Sequence, residues 1–209
     1  MPIKTDREYR DMTLAVVNVD DEQEEQDKVV RGYASTFNDP YVLYEDEGLI
    51  YQEQVDRDAF SGTDMSDVIM QYDHKGRVFA RTSNSTLTIA TDDHGLLIEA
   101  NLGGTEIGRN LYEEIQGGYT NKMSFGFVVD ADEESRTEAT DGRMIITRTI
   151  THVRKLYDVS AVSIPANDAT SISVRNLTNG VIEKIQAERL EAERLELRRK
   201  KMLMRAKLL

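Results

Sequence analysis

A serine hydrolase needs a hydroxyl nucleophile, an imidazole to take its proton, and a third group that holds the imidazole in its working tautomer. The residues of this chain that could supply them are Ser124 in TNKMSFGFVVDA (120–131), His74 in DVIMQYDHKGRVFART (67–82) and Asp158 in RKLYDVSAVSIPAND (154–168). Strand alternation places Met123, Phe125, Phe127 and Val129 on one face and Ser124, Gly126 and Val128 on the other. That stretch alone reads two ways: a serine on the wet face of a half-exposed strand, or a small nucleophile in a groove with little side chain around it. His74 follows an apolar strand within a polar Asp73-His74 pair, before Lys75-Gly76. The position suits an ordinary surface loop or a side chain mounted on a rigid platform. Asp158 is a lone acid in an apolar strand, on one face with Ser160 and Val162. Burying such a carboxylate without a partner is costly, so it asks for one.

The other two histidines carry weaker signals. His94 lies in TDDHGLL, where a polar residue before glycine is turn chemistry, and His152 in TITHVRKLYD ends a strand and reads as a satisfied sheet histidine. The chain has no cysteine, which removes thiolate nucleophiles, disulfides and zinc-cysteine sites.

Positioning these groups falls to a body that is mostly β. Apolar, β-branched runs recur at 12–19, 28–37, 48–52, 68–72, 77–82, 85–91, 95–102, 122–131, 143–153, 156–164 and 171–177. Turn residues such as Asn38-Asp39-Pro40, Asp93-His94-Gly95 and Asp141-Gly142 separate many of them. The spacing predicts antiparallel strands in a curved sheet or β-barrel with flanking helices, an α+β fold. Ile107, Leu111 and Ile115, capped by Thr105 and ended by Gly117-Gly118, predict one helix, and Val55, Ala59 and Phe60 suggest a shorter one over 56–64. The acidic stretch 130–142 reads as a solvated hairpin loop.

From about Asn179 strong helix formers take over, with Leu190, Leu197 and Met204 seven apart. Leu195, Met202 and Leu209 form a second row, and Arg194 and Lys201 interrupt the seam. Residues 1–178 are therefore read as one domain and 179–209 as a charged helical tail. After residue 182 there are nine Lys or Arg against five Glu, a net +4, which leaves 17 against 33 and −16 on residues 1–182. An acidic body repels phosphates and disfavours a nucleic-acid partner. No apolar run approaches the roughly 20 residues that cross a bilayer, and the polar N-terminus predicts no secretory signal.

The order of segments adds a resemblance. The chain reads VRGYASTFN, QVDRDAF, MQYDHKGRVFART, DDHGLLIEANL, GGYTNKMSFGFVV and LYDVSAVSIPANDATSISV, from about Arg31 to Val174. Together these resemble the prohead, or capsid maturation, proteases of tailed bacteriophages of the HK97 type, whose fold is similar to that of the herpesvirus assembly protease. No single motif among them is specific; six in order with similar spacing are. The resemblance implies Ser124 as nucleophile, His74 as general base and later acid, and Asp158 as the group that orients His74. Glu is common in the family where this chain has Asp158, and Arg57-Asp58 stands where Pro-Gly is often found. In the herpesvirus relatives a second histidine fills the third role, which keeps His152 and His94 as alternatives. The implied activity is a serine endopeptidase that needs no cofactor or metal. Its substrates would be scaffold segments of the major capsid protein and the protease itself, inside the procapsid in the bacterial host cytoplasm. Self-association is a further expectation, with the tail as a handle for incorporation or a site of self-cleavage. A mostly-β body can hold an extended substrate by sheet-edge pairing. The main rival is a non-enzymatic scaffold or minor capsid protein of the same fold; a metal hydrolase built on Asp73-His74 and Asp92-Asp93-His94 has no recognised ligand spacing behind it.

Overall fold

The computed structural model describes residues 7–13, 28–163 and 172–206. In chain order the elements are β1 (Glu8–Thr13), β2 (Val29–Thr36), β3 (Tyr41–Glu45), β4 (Leu49–Val55), β5 (Ile69–Tyr72), β6 (Lys75–Arg81), β7 (Leu87–Thr91), β8 (Gly95–Asn101), α1 (Glu106–Gln116), β9 (Lys122–Glu138), β10 (Met144–Val162) and α2 (Ile172–Ala206). Residues 1–171 and 172–209 form two compact units, the second holding α2.

The strands make two open sheets. The larger has the order β1-β9-β10-β4-β3, with β5 paired to β10 and β6 to β5; the smaller is β2-β8-β7. The mostly-β body with helices is as expected, whereas the barrel alternative and the antiparallel pairing throughout are corrected: neither sheet closes among the described residues, and the larger is mixed. The reason lies in the length of β10. Its 19 residues run antiparallel to β9 along one edge, while the other edge accepts β4 in parallel at 144–150 and β5 in parallel at 158–161.

Three local expectations are also corrected. Residues 57–62 form turns instead of a helix. The N–H groups of Ala59, Ser61 and Thr63 donate to the carbonyls of Asp56, Asp58 and Phe60, three residues back, which closes successive turns without an α-helical bond, while Val55, Ala59 and Phe60 still reach the core. The acidic stretch 130–142 is mostly strand, since β9 continues to Glu138 opposite the β-branched residues of β10. The segment 172–177 is helical: once the strong formers downstream have nucleated α2, each added residue costs less than a new start. Of the run at 12–19, residues 12–13 close β1 and the rest lies outside the described residues.

One core joins both sheets and α1. Phe125, Phe127 and Val159 from the large sheet meet Ala34, Leu96 and Ile98 from the small one, and Leu111, Tyr112 and Ile115 cover them from α1. Thr105 caps α1 by accepting the N–H of Gly108 at 3.1 Å. One buried polar network ties β1, β4 and β10 together. Arg10 on β1 and Arg148 on β10 share Glu53 of β4, at 2.8 and 2.6 Å, and Glu8, at 2.7 Å each; Arg148 also meets Asp132 at 2.7 Å. Burial pushes the Glu53 carboxyl upward, but the two guanidiniums outweigh it and hold it below its usual range. This network fastens β1 through Glu8 and Arg10, so alternation turns Tyr9 to the opposite face.

Candidate active site

The register between β9 and β10 sets the first two positions. Ser124 pairs with Ser160 and Gly126 with Asp158, so Ser124 and Asp158 project from the same face, one step apart on neighbouring strands. Strand β5 lies along the other edge of β10, with Ile69 opposite Asp158 and Tyr72 opposite Ala161. The chain then reverses into β6 through two residues only, Asp73 and His74, since Tyr72 pairs directly with Lys75. Such a reversal matches the strand twist when both central residues have positive φ, and Asp73 has 48° and His74 56°.

That reversal brings the imidazole between the other two groups. The Ser124 hydroxyl donates to Nε2 of His74 at 2.7 Å. Nδ1 of His74 donates to Oδ1 of Asp158, which also accepts the Ser160 hydroxyl at 2.9 Å. A carboxylate only accepts, so Nδ1 carries the hydrogen and Nε2 is free to receive the serine proton. Ser124 and Asp158 are 0% and 2% exposed, whereas the His74 side chain keeps 17% of its surface in water. The Tyr9 ring lies against the imidazole, centroids 4.4 Å apart.

Glycine at 126 is required by this packing. A Cβ there would stand 2.4 Å from Oδ2 of Asp158 and 2.8 Å from Cε1 of Tyr9, nearer than carbon approaches either atom. Ser124 is thus not on a wet face: residues 123–129 of β9 are buried on both sides, with core on one and the polar cluster on the other.

The remaining histidines point their hydrogen bonds elsewhere. His94 sits in the β7–β8 turn against Tyr33, centroids 4.4 Å apart, while Asp92 accepts the N–H groups of His94 and Gly95. His152 lies at a bulge in β10, bonded through Nδ1 to Asp130 and through Nε2 to the Ser61 carbonyl at 3.1 Å. Among the described residues no group of three or more His, Asp or Glu is placed to hold a metal ion, and no helix is long and apolar enough to cross a membrane.

Sequence reasoning missed one neighbour of the site, Tyr9, and gave another, Ser160, no role. Tyr9 belongs to a polar N-terminal stretch, EYRDMT, whose alternation is masked by the buried charges of Glu8 and Arg10. The Ser160 hydroxyl carried a usable signal, since it lies two residues from Asp158 on the same strand face.

A buried carboxylate, an imidazole and a serine joined in line is the arrangement on which serine hydrolases rely. Comparison with protein families agrees: the model described as caudovirus prohead serine protease matches residues 15–184, and the chain belongs to that family. No curated protein and no solved structure matches the chain significantly.

Proposed function

We propose that the protein is a serine endopeptidase that cleaves scaffold segments of the major capsid protein, and itself, during prohead maturation. The observation that carries this reading is the unbroken Asp158–His74–Ser124 hydrogen-bond line in a chain of this family. Ser124 would attack the scissile carbonyl while His74 Nε2 takes its proton. The resulting imidazolium faces the Asp158 carboxylate in a buried setting, where opposite charges attract more strongly than in water. His74 then returns the proton to the leaving amine, and water resolves the acyl-enzyme by the same path. Cleavage inside the immature shell, a herpesvirus-protease-like origin of the fold, and a role for 179–209 as a handle belong to the same proposal.

One feature favours the rival reading. Ser124 has no exposed surface, so a carbonyl reaches it only after neighbouring groups shift, whereas a non-enzymatic scaffold needs no such opening.

Intact mass of the concentrated wild-type chain beside Ser124→Ala, each with and without a chelator, tests the proposal. Losing a triad member costs about 10⁴–10⁶ in rate, so fragments should come from wild type alone and survive chelation. Fragments that vanish with chelator would point to a metal enzyme instead. If both chains stay intact, co-expression with the coat protein decides, and an uncut coat protein would establish the scaffold reading.

A further inference from the structure

The turn that carries His74 holds two side chains at positive φ, where glycine is usual at one centre at least. Positive φ at both centres of a two-residue hairpin is the domain of Asn-Gly or Gly-Gly, and here Asp73 and His74 hold φ of 48° and 56°. Side chains in that region are strained and persist only where the surroundings over-determine them. What over-determines this turn is a set of bonds from Asp73 to the end of β10. The Asp73 N–H donates to the Ala161 carbonyl at 2.9 Å. Its Oδ1 accepts the backbone N–H of Ser163 at 2.9 Å and the Ser163 hydroxyl at 3.1 Å, and Oδ2 accepts the same hydroxyl at 2.9 Å.

The anchor is well placed for catalysis. Strand β10 also carries Asp158 and is paired to Ser124 through Ser160. Fixing Asp73 to Ala161 and Ser163 therefore fixes the backbone of His74 to the strand that holds its carboxylate partner and lies beside its serine partner. Without the clamp the turn can relax toward negative φ, and the imidazole swings off a line on which one ångström costs about 10²-fold in rate.

We infer that Asp73 is a positioning residue of the active site, acting with Ser163 as a clamp that holds the strained turn and so keeps His74 between Ser124 and Asp158. The inference rests on the proposed serine-hydrolase reading. It assigns Asp73 no contact with substrate and no proton.

Substitution separates the clamp from the turn conformation. Asp73→Gly keeps the permissive backbone and removes the acceptor; Asp73→Asn keeps both an acceptor oxygen and tolerance of positive φ. The readouts are the rate at which a fluorophosphonate probe adds to Ser124, followed by peptide mass, the far-downfield proton of the His74–Asp158 hydrogen bond in the NMR spectrum, and the thermal midpoint. We expect labelling to slow about 10²-fold in Asp73→Gly, with the downfield proton lost while cooperative unfolding remains. Asp73→Asn should stay within a few-fold of wild type on both counts. Wild-type labelling and an unchanged downfield proton in Asp73→Gly would overturn the inference and leave the hydrolase reading standing. Absence of labelling in wild type itself would overturn both. Should Asp73→Gly fail to unfold cooperatively, Ser163→Ala decides: slower labelling supports the clamp, and an unchanged rate overturns it.

Discussion

Gly126 and Asp158 face each other across β9 and β10 so closely that a single methyl on the glycine would overlap the carboxylate, at 2.4 Å from Oδ2. The carboxylate cannot retreat along its strand, because Oδ1 is held by His74 and Ser160. Gly126→Ala should therefore push Asp158 off the imidazole or press Tyr9 aside. We expect Ser124 labelling to fall by about 10²-fold or more, the cost of an ångström-scale displacement. Near-normal labelling of a folded Gly126→Ala would show that the site accommodates the methyl without displacing Asp158.

Asp158 is proposed to fix the tautomer of His74, and Asn tests that role because an amide can present an N–H to Nδ1. The imidazole would then carry its hydrogen on Nε2, facing the serine it should deprotonate. A loss of about 10⁴-fold in acylation is expected for Asp158→Asn, with more activity kept by Asp158→Glu, which retains the charge. Equal rates for Asn and Glu would separate the carboxylate from catalysis.

Much of this site was legible in the letters, and the limits have physical causes. The faces of 122–129 followed from period-2 alternation, while the strand before His74 left it open as a surface-loop residue, and only the order of the six segments singled it out. What letters could not give was depth: Ser124 and Asp158 are buried because β1 and β10 flank β9, and nothing local to SFGF announces those neighbours. The parallel docking of β4 and β5 was hidden for the same reason, as it joins residues nearly a hundred positions apart. The strand expected at 171–177 failed because its short β-branched run was outweighed by helix formers that follow it.

His152 was the alternative third member of the site, and its hydrogen bonds speak against that role. Both ring nitrogens are occupied, by Asp130 and by the Ser61 carbonyl, and neither reaches His74. His152→Ala should leave the rate of Ser124 labelling within a few-fold of wild type while lowering the thermal midpoint slightly. A loss comparable to that of Asp158→Asn would reinstate His152 as a participant.

Glu53 offers a test of what holds β1 in place. Its carboxylate is 0% exposed and shared by Arg10 and Arg148, and the two arginines hold its pKa below the usual value despite burial. A carboxyl whose folded pKa lies below its unfolded value, about 4.3, contributes stability that is fully present above that value. The contribution is lost as pH falls through the folded pKa, because the unfolded chain then binds the proton more readily. Wild type should therefore lose stability to urea as pH drops below about 4. Glu53→Gln leaves two buried guanidiniums short of a partner and should cost about 3–5 kcal/mol at neutral pH. Its stability should also fall less steeply on the acid side, since the group that titrates there is gone. Parallel acid-side curves for the two proteins would assign the loss to other carboxylates, and an undiminished urea midpoint for Glu53→Gln at neutral pH would show that β1 is held without Glu53, by its pairing to β9 and by the Glu8–Arg148 pair.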